Sequence, residues 1–201
     1  MFKKLPLGLL LISPFSALAH PHAFIDMQTK PLVKDNKLIG FSTQWLLDEA
    51  SSSAVLYDVK QAKGDKAAQQ KLVDEVMANV VNEHYFSYVF DKENHKIKYT
   101  KHPENYGMRV KGNEVEYYFD FLLAQPQALQ NNEFTLMTYD RTYYVAMRYA
   151  ETGKRAVDFS SLPANCKGEV LEPNVDEKIQ SYASSLDKSQ KNEDDSLGVL
   201  F

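Results

Sequence analysis

Alternating apolar and polar residues dominate the chain after its first twenty positions. His22 to Val33 is mostly β-compatible. Leu38 to Asp48 alternates, with Ile39, Phe41, Thr43, Trp45 and Leu47 on one face and Gly40, Ser42, Gln44 and Asp48 on the other. The turn-favouring pair Asp35-Asn36 lies between the two runs, which predicts a β-hairpin. Ser51-Ser52-Ser53 is placed to cap a short helix through about Lys60. Leu72, Val73, Val76, Met77, Val80, Val81 and His84 then follow helical spacing, so an amphipathic helix is expected from near Asp65. Strand-like runs resume at Tyr85–Phe90 and His95–Thr100. Tyr106–Lys111 and Glu114–Leu123 flank Gly112-Asn113, a strong hairpin signal. Phe134–Asp140 and Tyr143–Ala150 read as another pair, and Arg155–Phe159 and Lys167–Leu171 as short strands. The expected fold is mainly β (α+β): an antiparallel β-sandwich with a helical insertion at about 51–84, after the first hairpin. Val175, Ile179, Tyr182, Ala183 and Leu186 predict a C-terminal amphipathic helix, followed by a polar tail.

The first twenty residues follow a different pattern. Lys3 and Lys4 precede a short apolar run from Leu5 to Ile12, and Ala17-Leu18-Ala19 fits the small-x-small cleavage rule. This predicts a secretory signal peptide over 1–19 and a periplasmic protein. The run is far short of the roughly 20 apolar residues that span a bilayer. The expected division is therefore 1–19 leader, 20–172 sandwich domain, and 173–201 helix and tail. Composition adds exclusions. With 23 basic against 27 acidic residues and a formal charge of -4, no basic stripe is available to neutralise nucleic-acid phosphates. The single cysteine, Cys166, excludes an intramolecular disulfide and a Cys-rich zinc site.

Cleavage after Ala19 makes His20 the first residue of His20-Pro21-His22. Pro21 biases His20 toward extended backbone, and in an extended chain His20, His22 and Asp26 project to one side. Two imidazoles, the α-amine and a carboxylate suit a borderline ion such as Zn²⁺, Cu²⁺ or Ni²⁺. The square-planar amino-terminal copper motif is excluded, because it needs an ionisable N–H that Pro21 lacks. Symmetric pairing about Asp35-Asn36 puts residue i opposite about 71 − i, so Asp48 and Glu49 are expected opposite Ala23 and His22. Asp140, at a strand end in Tyr-Asp-Arg-Thr-Tyr-Tyr, is a further carboxylate candidate or a turn-former. His84 reads as a core histidine on the apolar helix stripe, and His95 and His102 as solvated.

His20-Pro21-His22-Ala23-Phe24-Ile25-Asp26 directly after a leader resembles the signature of a bacterial periplasmic family of unknown function that includes ZevA-like zinc-transport accessory proteins. Trp45-Leu46-Leu47-Asp48-Glu49 and Tyr139-Asp140-Arg141-Thr142-Tyr143-Tyr144-Val145-Ala146 resemble its second and third blocks. Cys166 and the closing Leu-Gly-x-Leu-Phe run also fit. The chain departs from the pattern at Arg141, where proline is usual, and in keeping only Asp58, Gly64 and Asp65 of an Asp-rich insertion loop. The resemblance implies association with a membrane permease of the nickel/cobalt-efflux type. The expectation is a non-enzymatic, non-membrane-spanning metal-binding protein, with zinc first and nickel or cobalt next. His20 and His22 would bind with Glu49 and Asp140, while Asp26 and Asp48 orient them or substitute for them. Two rivals stand beside it: a copper enzyme using the N-terminal histidine, and a metal-free structural partner of a permease.

Overall fold

The computed structural model describes residues 23–142, 144–149 and 156–171. The expected leader (1–19), His20, His22 and the C-terminal helix and tail (173–201) lie outside the described residues. The chain runs β1 (Ala23–Lys34), β2 (Lys37–Leu47), α1 (Glu49–Gln61), α2 (Lys66–Asn82), β3 (Ser87–Asp91), β4 (Lys96–Ile97), β5 (Glu104–Lys111), β6 (Glu114–Ala128), β7 (Phe134–Thr138) and β8 (Val145–Tyr149). One sheet has the order β5-β6-β2-β1-β8 and the other β4-β3-β7. The fold is mainly β with two inserted helices, as the alternation predicts.

The first hairpin closes at Asp35 and Asn36, both in the left-handed region that a tight hairpin turn demands (φ 50° and 56°). On β6, Val115, Tyr117, Phe119, Phe121 and Leu123 are buried at every second position. On β2, Phe41, Thr43 and Trp45 do the same, but Leu38 takes the buried place expected of Ile39 because the β2–β6 register shifts between Leu38 and Gly40. Gly40 sits so tightly that a Cβ would collide with the Phe121 carbonyl and Leu122 Cα of β6. The two sheets share one core. Tyr85 stacks on Phe119 and Phe121, while Trp45 meets Phe119 and Phe86 edge-on. From α2, Val73, Met77 and Val80 join that core, the stripe expected from the sequence. Asp65 caps α2 through the Ala67 and Ala68 amides.

Several elements depart from the expected pattern. The cap of α1 is Asp48 and not the serine run; Ser52 is fully buried, its hydroxyl donating to Leu47 O and accepting the Val115 amide. His84 leaves the helix stripe and is exposed, because α2 ends at Asn82. His84, Tyr85 and Phe86 then form a turn with φ of 55°, 58° and 49°. Left-handed backbone costs an ordinary L-residue about 1–2 kcal/mol, so this turn persists only where packing over-determines it.

β7 and β8 do not pair with each other. β7 lies antiparallel to β3, while β8 crosses to the larger sheet and runs parallel to β1, with Ala23 beside Val145 and Met27 beside Tyr149. The reason lies in Asp140, whose carboxylate gathers the following amides and turns the chain out of the smaller sheet. Of the short strands expected over 155–159 and 167–171, the described residues keep only a bridge. Val157 extends the edge beside Thr29, with Thr29 N donating to Ala156 O and Asp158 N to Thr29 O.

Candidate metal centre at the start of the first strand

Asp48 lies between the end of β2 and the start of α1, as the cap of that helix. Its Oδ1 accepts the Ser51 amide at 2.8 Å, and its Oδ2 accepts the Ser51 hydroxyl at 2.9 Å and the Phe24 amide at 2.7 Å. The Asp48 amide returns a bond to the Phe24 carbonyl at 3.1 Å. Burial opposes the charged form, but the donors from Ser51, Phe24 and Ala50 outweigh it and hold the carboxyl below its usual 3.8. Asp48 therefore meets Phe24 and not Ala23. The register slips between Leu32 and Val33, so the pairing near the strand start is offset by one from symmetric pairing about the turn. Glu49 follows in the first turn of α1 and is exposed.

Asp140 stands on the other flank of β1. It is 5% exposed, and its oxygens accept the Thr142 amide and hydroxyl, the Tyr144 amide and the Val145 amide at 2.8–3.1 Å. Val145 begins β8, and its partner is Ala23. β1 thus starts between Asp48 on the β2 side and Asp140 on the β8 side. In the sequence, Ala23 directly follows His22. Asp48 and Asp140 each accept several donors and organise backbone around that strand start. Glu49 is the carboxylate left facing solvent there.

Asp26 lies on the outward face of β1. Its Oδ1 accepts the Arg148 guanidinium at 2.6 Å, and Arg148 also lies 6.0 Å from the Phe24 ring. The sequence pattern puts Asp26 on the side of His20 and His22 but gives it no partner; Arg148 arrives only through the parallel β1–β8 pairing. Thr142 has no role assigned by the sequence pattern, although Asp-x-Thr is a local signal for a side chain closing its own turn.

Among the described residues, only Asp91, Glu93 and His95 bring three metal-capable side chains within 4.8 Å of one another. They occupy the turn after β3. Asp91 accepts the Glu93 and His95 amides, and its Oδ2 lies 3.3 Å from the His95 ring. The His95 amide is the largest influence holding the Asp91 carboxyl below its usual value. That arrangement is accounted for by a turn closed by its first aspartate. His102 is exposed, as expected.

A family model described as a protein of unknown function, DUF1007, matches residues 5–201. The chain belongs to the DUF1007 family. It is 64% identical over 198 residues to an uncharacterized protein of Haemophilus influenzae, a match covering 98% of this chain and 94% of that protein. No solved structure matches the DUF1007 chain. Among its described residues, no helix is long and apolar enough to cross a membrane.

Proposed function

We propose that this DUF1007 protein is a periplasmic metal-binding accessory protein for a divalent transition-metal transporter, with zinc as first cargo and nickel or cobalt next. One observation carries the reading. The strand that begins one residue after His20-Pro21-His22 is clamped on both flanks by carboxylates, Asp48 through Phe24 and Asp140 through Val145. A terminus with two imidazoles gains from a fixed root, because each ligand that is already positioned loses less freedom on binding. Within this reading His20 and His22 are ligands and Glu49 is the carboxylate that joins them. Asp140 and Asp48 hold the surrounding backbone, Asp26 pairs with the Arg148 guanidinium, and Asp140 ligates only by giving up its bonds to its own loop. Mixed nitrogen and oxygen donors suit Zn²⁺ and its neighbours. Export with cleavage after Ala19 would create the His20 end, and a membrane permease would receive or deliver the ion.

The test is calorimetric titration with Zn²⁺ of chain beginning at His20, beside chain with a short extension before His20. The His20 form is expected to bind tightly and the extended form weakly. His20→Ala and His22→Ala each weaken binding ten-fold or more, about 1.4 kcal/mol apiece. Equal losses from His20→Ala, His22→Ala, His95→Ala and His102→Ala would mean scattered surface binding and would end the proposal.

A further inference from the structure

The left-handed turn at His84–Phe86 is the least explained feature of the fold. Three consecutive residues with side chains adopt φ near 50–58° where a single glycine would normally serve. The turn does not merely join α2 to β3. Tyr85, 1% exposed, is driven into the core against Phe119 and Phe121. Phe86 puts its ring edge-on to Trp45 in β2, three residues before Asp48. The Phe86 carbonyl accepts the Tyr139 amide at 2.8 Å, one residue before Asp140. A single turn therefore touches both carboxylate-bearing flanks of the β1 start, one by ring packing and the other by backbone.

We infer that the His84–Phe86 turn is a positioning element that sets where the Tyr139–Asp140 strand end lies, and through it the β8 side of the proposed metal centre. This rests on the metal reading only for its last step. An ordinary extended or right-handed path through 84–86 would rotate the Phe86 carbonyl away from Tyr139. The Asp140 loop would then lose its anchor to the smaller sheet and shift relative to Val145 and Ala23. His84 is the useful probe, because its side chain is exposed, with its ring 3.4 Å from the Asn82 carbonyl, while its backbone is left-handed. Glycine at that position accepts the same φ, alanine resists it, and β-branched valine resists it most.

The experiment compares His84→Gly, His84→Ala and His84→Val in chain beginning at His20. Amide exchange is followed by NMR, Zn²⁺ affinity by calorimetry, and coordination geometry by the visible absorption of Co²⁺-loaded protein. His84→Gly is expected to match wild type in all three. His84→Val is expected to speed exchange at the Tyr139 and Val145 amides about ten-fold, weaken Zn²⁺ binding about ten-fold and alter the Co²⁺ spectrum, as loss of a supporting partner around a metal site does. His84→Ala falls between them and serves if the valine variant does not fold. Unchanged exchange at Tyr139 and Val145 in both the alanine and valine variants overturns the inference. A loss of Zn²⁺ binding in His84→Gly as large as in His84→Val also overturns it, because the imidazole itself would then be at work. If wild type binds neither ion, the metal reading falls, and the exchange comparison alone decides the role of the turn.

Discussion

Replacing Asp48 by alanine removes two connections at once. The first is the cap of α1, the Ser51 amide at 2.8 Å and hydroxyl at 2.9 Å. Losing an aspartate cap costs about 1 kcal/mol. The second is the bond from the Phe24 amide at 2.7 Å. A bond to a charged acceptor contributes about 1.5 kcal/mol at the low end, and partial solvation reduces it here. Together they predict a loss of about 2 kcal/mol, or about 4–8 °C in Tm for a domain of this size. Asp48→Asn keeps an acceptor but loses the charge, so about half that loss is expected. The pH dependence has a definite sign. The folded carboxyl titrates below its usual 3.8, so ionised Asp48 favours the folded state. Its contribution is complete above the unfolded value and disappears as pH falls through the lower folded value. Urea unfolding of wild type and Asp48→Asn should therefore differ at pH 6 and converge toward pH 3. A loss below 0.5 kcal/mol for Asp48→Ala at pH 6, or a difference from Asp48→Asn that grows on acidification, would refute this account of the strand start.

Three other outcomes are expected. Ser52→Ala removes the only hydroxyl serving both Leu47 O and the buried Val115 amide and should cost about 1–3 kcal/mol in urea unfolding. Gly40→Ala drives a methyl into the β6 backbone and should cost about 3 kcal/mol or more, whereas Gly112→Ala meets open space at φ +65° and should cost about 1 kcal/mol in the same assay. If imidazoles ligate the metal, Zn²⁺ affinity measured by calorimetry should fall as pH drops below about 6.5, and constant affinity between pH 5 and 7.5 would remove them from the site.

The legible parts of this fold are those written in short-range periodicity. The stripe of α2 and the alternation of β6 follow directly from residue spacing, because each element buries one face against the same core. What escapes is whatever depends on distant partners or on one-residue slips. Nothing local in Val145–Tyr149 says that it will lie parallel to Ala23–Met27, and a hairpin with Phe134–Thr138 is the nearer alternative. The slip at Leu32/Val33 changes the partner of Asp48 from Ala23 to Phe24, a shift no turn propensity announces. Asp48 is legible as a strand-end carboxylate beside the start of β1, but its second role as a helix cap is hidden behind three serines that cap more visibly. His84 was misplaced because the apolar stripe continues in the sequence for two residues after the helix has ended.

The β1–β8 pairing also fixes the order in which the molecule can be completed. β1 meets β2 across a two-residue turn and can pair with it as soon as both have been synthesised. Its other edge waits for residues about 120 positions later, the Asp26–Arg148 contact spanning 122. Contacts at that separation form slowly, since a long loop must close before they give any return. Until then β1 presents an open row of amides and carbonyls, from Ala23 to Met27, to any strand that passes. A chain stopped before Val145 would keep that edge permanently open and should associate with itself or with chaperones. The start of β1, next to His20-Pro21-His22 in the sequence, would then be among the last parts of the larger sheet to become rigid, after Val145–Tyr149 has arrived.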